Sequence, residues 1–200
     1  MTTLAAITQR ARGLLQRSSH GASLLGLAFD HGQLHGVALQ RTNGSVQIQQ
    51  PFSAPLSLDP LTDEPELVGR EIRKQLDAAG IRERHCSVCL PLGWALTLDL
   101  RLPDLPEEDL ESFLQIEAER GFPYSPDALI LAHSRYRSPK GESCATLVAV
   151  PREHLARLQA ALEAAQLRPL SLSFGITALQ SPASDPAQGT LALLAGQESI

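Results

Sequence analysis

The sequence predicts an α/β protein in which a β-β-β-α-β unit is followed by a smaller β-α-β-β-α-β unit. Three features of the chain predict it. Strand-like runs at Leu24–Asp30, Leu34–Thr42 and Val46–Ala54 follow one another with only short polar turns between them. A segment with apolar residues at helical spacing then leads to a short apolar return strand at Cys86–Leu90. From Trp94 a second series begins, opening on the alternating stretch WALTLDLRL.

The first two runs meet at Asp30-His31-Gly32-Gln33, read as a three-residue hairpin, Asp30-His31-Gly32, with Gly32 in the positive-φ place. The second and third meet at Thr42-Asn43-Gly44-Ser45, and Asn-Gly is the strongest short hairpin signal because both residues tolerate positive φ. The Pro-rich stretch PLSLDPLTDEP breaks the strand pattern and leads to a helix over Pro65–Ala79. Val68, Ile72, Leu76 and Ala79 line one face of that helix, and Gly80 ends it. Meander, helix and return strand together make half of a layered α/β unit with a right-handed crossover.

In the second unit, Trp94–Leu102 alternates as a half-exposed strand should, and Pro103-Asp104-Leu105-Pro106 punctuates. A helix over Pro106–Arg120 starts with proline and with Glu107, Glu108 and Asp109, which suit the positive end of its dipole; Gly121 stops it. Strands follow at Asp127–Arg137 and Ala145–Val150, separated by the polar turn Pro139-Lys140-Gly141-Glu142. A second amphipathic helix, Pro151–Ala165, carries Leu155, Leu158 and Leu162 on one face. Leu170–Phe174 closes the series as a strand, and Ile176–Leu179 reads as a helical turn. The order over residues 94–175 is that of a split βαβ unit. SPASDPAQG, residues 181–189, is then a linker, and residues 190–200 open another strand, so a longer protein is expected to continue beyond it.

Composition narrows the function classes. A net charge of −5 lacks the basic excess of a nucleic-acid surface, so no nucleic-acid partner is expected. No apolar run reaches the roughly 18 residues of a membrane span, so the chain is expected to have none. In the leader, residues 1–22, Gln9, Arg10 and Arg12 interrupt any signal-peptide core, which points to a cytoplasmic protein. Ile7, Ala11, Leu14 and Leu15 share one side of a leader helix; a core-packed lead-in is favoured over a membrane-surface helix in so short a segment.

Cys86-Ser87-Val88-Cys89 invites a zinc or redox reading. In a strand, however, residues three apart point to opposite faces, so these thiols share neither a metal nor a disulfide, and reduced core cysteines are expected. No metal site is expected, and no Ser-His-Asp or Cys-His spacing marks a catalytic group.

Several local motifs resemble the type IV pilus assembly protein PilM family, relatives of the cell-division protein FtsA. Glu117-Ala118-Glu119-Arg120-Gly121-Phe122-Pro123-Tyr124 is similar to the family's E-A-E-x-x-I-P-F, preceded by Leu102-Pro103 and an acidic helix start. Leu147-Val148-Ala149-Val150-Pro151-Arg152-Glu153 resembles its L-V-A-A-P-K-E, Leu167-Arg168-Pro169 its G-L-x-P, and Leu170–Leu179 its strand ending in A-L. The resemblance runs from about residue 24 to the end. It implies a ribonuclease-H/actin-like first subdomain over residues 23–92, an inserted small α+β subdomain over 93–180, and the start of a second actin-like half at 190–200. It further implies a scaffold that binds the cytoplasmic tail of a PilN-type inner-membrane protein in a cleft between the two subdomains, peripheral to the inner membrane. Alternatives are a nucleotide-binding actin-like ATPase and a GspL-like type II secretion component.

The resemblance also tests the first turn. The family's first phosphate loop, G-I-D-I-G-S-S-S-V-K, falls without gaps on Gly26 to His35. It keeps Gly26, but the metal-positioning acid falls on Ala28, the turn glycine on Asp30 and the lysine on His35. One carboxylate about 4 Å from a phosphate charge costs roughly 4 kcal/mol at an effective dielectric near 20. Shifting by two residues aligns Asp30 and Gly32 with the acid and glycine but still supplies no lysine. The loop is therefore read as a hairpin, with no cofactor expected. ATP and magnesium are retained as the alternative ligands of Gly26, Asp30, Gly32, Gln33 and His35. Glu117 is the candidate partner-contact residue; as a surface acid it is expected to pair with Arg101 or Arg135.

Overall fold

The structure is a computed structural model that describes residues 23–42 and 45–175. The leader helix, the Asn43-Gly44 turn, the Ile176–Leu179 turn, the linker and the final strand expected from the sequence lie outside the described residues. In chain order the elements are β1 (Ser23–Asp30), β2 (Gln33–Thr42), β3 (Ser45–Pro55), α1 (Pro65–Ala78), β4 (His85–Cys89) and β5 (Leu96–Arg101). They continue with α2 (Glu107–Gly121), β6 (Leu129–Arg137), β7 (Ser143–Pro151), α3 (Arg152–Ala164) and β8 (Arg168–Ser173).

Two sheets organise these elements. The first has five strands in the order β3-β2-β1-β4-β8, and the second has three in the order β5-β7-β6. In the first, β2 and β3 run antiparallel to their neighbours, while β1, β4 and β8 are mutually parallel. Parallel neighbours need a crossover, and α1 provides it between the meander and β4. This is the ribonuclease-H/actin-like arrangement.

Alternation along the strands decides which face of the first sheet is covered. Leu25, Leu27 and Phe29 of β1, Leu34 and Ala38 of β2 and Cys86 and Val88 of β4 all bury toward the helices. Val68, Ile72 and Leu76 of α1 meet them from above, and Leu158, Ala161 and Leu162 of α3 complete the layer; all six are 0 % exposed. Each of the five larger side chains, Ala161 aside, contributes about 1.5–3 kcal/mol through burial. The helices approach closely because α1 presents Gly69, whose bare backbone lies against Ala161, Ala164 and Ala165 of α3. In the sheet, Gly36 plays a similar part: the ring of Phe52, its cross-strand partner, covers it.

The order of elements follows the sequence-based expectation, but their partition does not. The expected β-α-β-β-α-β inserted unit is a β5-α2-β6-β7 unit. Its last helix and strand, α3 and β8, return to the first sheet, where β8 pairs in parallel with β4. The reason is packing: the buried face of α3 joins the core of Leu25, Val68 and Ile72, while the inserted sheet is already covered by α2. Leu110, Leu114 and Ala118 of α2 pack on Leu129, Ala145, Leu147 and Ala149, a separate core.

Gly121 ends α2 as the sequence predicts, though not through a left-handed conformation. It is the last residue of α2, without positive φ, and a Cβ there would lie 2.3 Å from Leu98 Cδ2. A side chain here would meet Leu98 of β5, whose end would have to turn aside. The left-handed stops occur after α1 at Gly80 (φ 72°) and after α3 at Gln166 (φ 60°).

Candidate functional site

The carboxyl ends of β1 and β4 bring together two of the features singled out in the sequence: the β1–β2 turn and the point where the chain leaves for the inserted unit. Asp30 and Gln33 are cross-strand partners, so the connection is two residues long, His31-Gly32, rather than three. Both have positive φ, 39° at His31 and 74° at Gly32, the type I′ combination whose twist matches that of paired strands. The turn is tied down. The Gly32 carbonyl accepts a hydrogen bond from the Leu56 N–H at 2.7 Å, and the Asp30 carboxylate contacts His31 Nδ1 at 2.5 Å. Both side chains are solvent-exposed, so the contact orients the imidazole without isolating a charge.

Of the five residues considered as a phosphate site, Asp30, Gly32 and Gln33 sit in or beside this turn. His35 lies further along β2 opposite Ala28, and Gly26 is in mid-strand opposite Val37. The acid position of the ungapped alignment is thus an alanine flanked by His35 on one side and Cys89 on the other. Among the described residues no group of three metal-ligating side chains comes together.

Loop 56–64 frames one side of the turn. The Glu71 carboxylate of α1 accepts hydrogen bonds from the N–H groups of Ser57 (2.8 Å) and Leu58 (3.1 Å). Arg157 of α3 donates to the Asp63 carbonyl at 2.5 Å. Beyond β4, a 3-10 turn at Leu92–Trp94 carries the chain toward β5, and the Trp94 ring meets His154 of α3 edge-on, centroids 6.2 Å apart. Sequence reading did not find these contacts. Glu71 and Arg157 carry no motif, and their partners are backbone groups of a loop, which leave no trace in residue type.

The thiols are chemically quiet. Burial pushes Cys86 up to about 11 and raises Cys89 as well, so neither has the thiolate character that a nucleophile or metal ligand needs. Cys86 points into the helix-covered core and Cys89 lies on the opposite side of the strand, as the spacing predicts, and all three cysteines are free.

Glu117 lies on α2 in the inserted unit. Its partner is Arg120, one turn along the same helix at 3.3 Å, and not Arg101 or Arg135. Those arginines are taken by Glu142 at 3.2 Å and Glu107 at 2.8 Å. A neighbour on the same helix is always within reach at this spacing, whereas cross-element partners depend on a register that the sequence does not give. The Arg135 guanidinium, by hydrogen bond and charge, holds the Glu107 carboxyl below its ordinary range.

No protein-family model and no curated protein matches the chain. Solved structures do. A chain of the PilM–PilN type IV pilus biogenesis complex superposes with a TM-score of 0.60 at 24 % identity, over 78 % of this chain and 48 % of that one. The cytoplasmic domain of EpsL, an inner-membrane component of the type II secretion system of Vibrio cholerae, superposes with a TM-score of 0.54 at 15 % identity. That match spans 81 % of this chain and 61 % of that domain. The present chain therefore spans about half the length of the first match and shares the fold of both. Among the described residues no helix is long and apolar enough to cross a membrane.

Proposed function

We propose that this chain is a non-catalytic assembly module of a type IV pilus-like envelope machine. It is cytoplasmic, peripheral to the inner membrane, and binds the cytoplasmic tail of a PilN-type inner-membrane protein in the cleft between the first sheet and the inserted unit. The supporting observation is the fold likeness to a chain of the PilM–PilN complex over 78 % of the present chain. The first turn favours scaffolding over ATP hydrolysis. An alanine stands at the metal-positioning place, and an exposed carboxylate stands in the turn where phosphate would approach. The partner's N-terminal peptide, labelled and titrated with the folded chain, is expected to bind saturably. A folded chain that leaves the peptide free overturns the proposal. Calorimetry with magnesium and ATP is expected to show no heat of binding, and a saturable heat would move the ATPase reading to first place.

A second reading, a GspL-like component of a type II secretion system, is supported by the likeness to the EpsL cytoplasmic domain over 81 % of this chain. Preference for a peptide from a type II secretion inner-membrane protein over a PilN-type peptide would favour it.

A further inference from the structure

We propose that the outer half of β3 is a self-association surface through which two copies of this chain pair antiparallel, strand to strand. The inference goes beyond the partner binding proposed above and rests on a comparison of the four sheet edges. β3 and β8 are the edges of the first sheet, and β5 and β6 those of the second. Edge strands normally carry charges or proline that discourage pairing with another chain. β5 carries Asp99 and Arg101, β6 carries Arg135 and Arg137, and β8 begins Arg168-Pro169. The outer half of β3, Ser45-Val46-Gln47-Ile48-Gln49, carries neither, and the whole stretch 43–58 is free of charge.

The same segment carries the two most exposed large hydrophobic side chains of the described structure. Val46 is 64 % and Ile48 70 % exposed. Their cross-strand partners are Arg41 and Leu39, so both point to the sheet face opposite the helices. A β-bulge at Gln49 and a proline at Pro51 close the free window on its inner side.

A second copy fits this window because the segment is self-complementary. Antiparallel pairing about a two-fold axis at Gln47 sets Val46 opposite Ile48 of the other copy, and Ile48 opposite its Val46. Four β-branched side chains then form one patch on one face, a favourable cross-strand arrangement. Gln47 meets its own symmetry mate, so no charge is buried. Such an isologous contact closes at two copies.

The test is the mass of the full 200-residue chain by light scattering across a concentration series. The mass is expected to rise from 21.5 kDa toward twice that value as concentration increases. Val46→Lys and Ile48→Glu, each alone, are expected to weaken pairing about ten-fold or more by placing unpaired charge in the contact. The double variant V46K/I48E is expected to restore it in a salt-sensitive way, because the two-fold axis sets each lysine against a glutamate of the other copy. Thermal melting of each variant separates lost pairing from lost folding. A wild-type chain that stays at 21.5 kDa throughout overturns the proposal. So does a dimer that both single substitutions leave intact, or single-variant monomers that the double substitution fails to rescue. None of these readouts involves the membrane partner's peptide, so failure here is distinguishable from failure of the proposed function.

Discussion

Replacing Gly69 with alanine tests whether one bare backbone position sets the spacing of the two helices over the first sheet. A Cβ at Gly69 would lie 2.5 Å from the Ala161 carbonyl oxygen, 2.5 Å from Ala164 Cβ and 2.9 Å from the Ala165 nitrogen. Ordinary contact begins near 3.5 Å, so relief needs a shift of about 1 Å. Two of the three atoms are backbone, which no side-chain rotation moves aside. Parting α1 from α3 by that much loosens Val68, Ile72, Leu158 and Leu162, all fully buried. Overpacking of this kind costs about 1–3 kcal/mol, and the rigid neighbours place Gly69 at the upper end. Alanine regains about 1 kcal/mol of helix propensity. The expected net loss is about 2 kcal/mol, which for a chain of this size lowers Tm by about 4–8 °C. Urea and thermal unfolding of the G69A chain measure it, with Gly93→Ala as control, since nothing lies within 4 Å of a Cβ there. An unchanged or raised Tm for G69A would refute the account of the helix spacing.

Gly36→Ala drives a methyl group to 1.9 Å from Phe52 Cε1, so the ring must leave its place. A loss of about 1–3 kcal/mol in urea is expected, with marked non-additivity when Phe52→Leu is added. Glu71→Ala frees the Ser57 and Leu58 N–H groups, and a loss of about 1–2 kcal/mol is expected, with faster amide exchange confined to loop 56–58. The Cys86 thiol, held as the neutral form up to about 11 against an ordinary 9.0, is expected to resist alkylation at neutral pH until the chain is unfolded. Because its folded value is raised, its contribution to stability is complete below pH 9.0 and is lost as pH rises through about 11. Cys86→Ala should flatten that alkaline decline in a pH series of unfolding curves.

The elements of this fold were legible because period and punctuation both reported them. The face of Val68, Ile72 and Leu76 buries as the helical spacing predicts, and the opposite pointing of Cys86 and Cys89 follows from strand geometry alone. What the sequence left undecided was which sheet each late element joins. An α3–β8 pair looks identical in sequence whether it closes a split βαβ unit or returns to β4. The deciding facts are long-range: the bare surface at Gly69 and the Ser87–Ser171 hydroxyl contact at 2.6 Å between β4 and β8. The turn at His31-Gly32 is one residue shorter than expected because His31 as well as Gly32 takes positive φ, a conformation uncommon in residues other than glycine. The pairing of Glu117 with Arg120 departs from expectation for a related reason, since a register between α2 and the sheet cannot be read from either segment separately.

The partition of the chain also bears on what the carboxyl ends of β1 and β4 are suited to hold. Because α3 and β8 return to the first sheet, the inserted unit hangs between β4 and α3 and is joined to the main body at two points of one edge. The turn at residues 30–33 and the exit at Leu92–Trp94 stand at that same edge, with loop 56–64 held by Glu71 and Arg157 beside them. A polyphosphate brought to the turn would meet the Asp30 carboxylate, at a cost of roughly 4 kcal/mol per phosphate charge at about 4 Å. Neither Ala28 nor His35 supplies the metal-positioning acid or the fixed cation that offsets such a cost in the resembling loop. A neutral peptide meets no such penalty, and a basic one gains from the same carboxylate. The proposed peptide ligand and the alternative ATP ligand thus differ in how they meet the Asp30 carboxylate, and the paired peptide and ATP titrations separate the two directly.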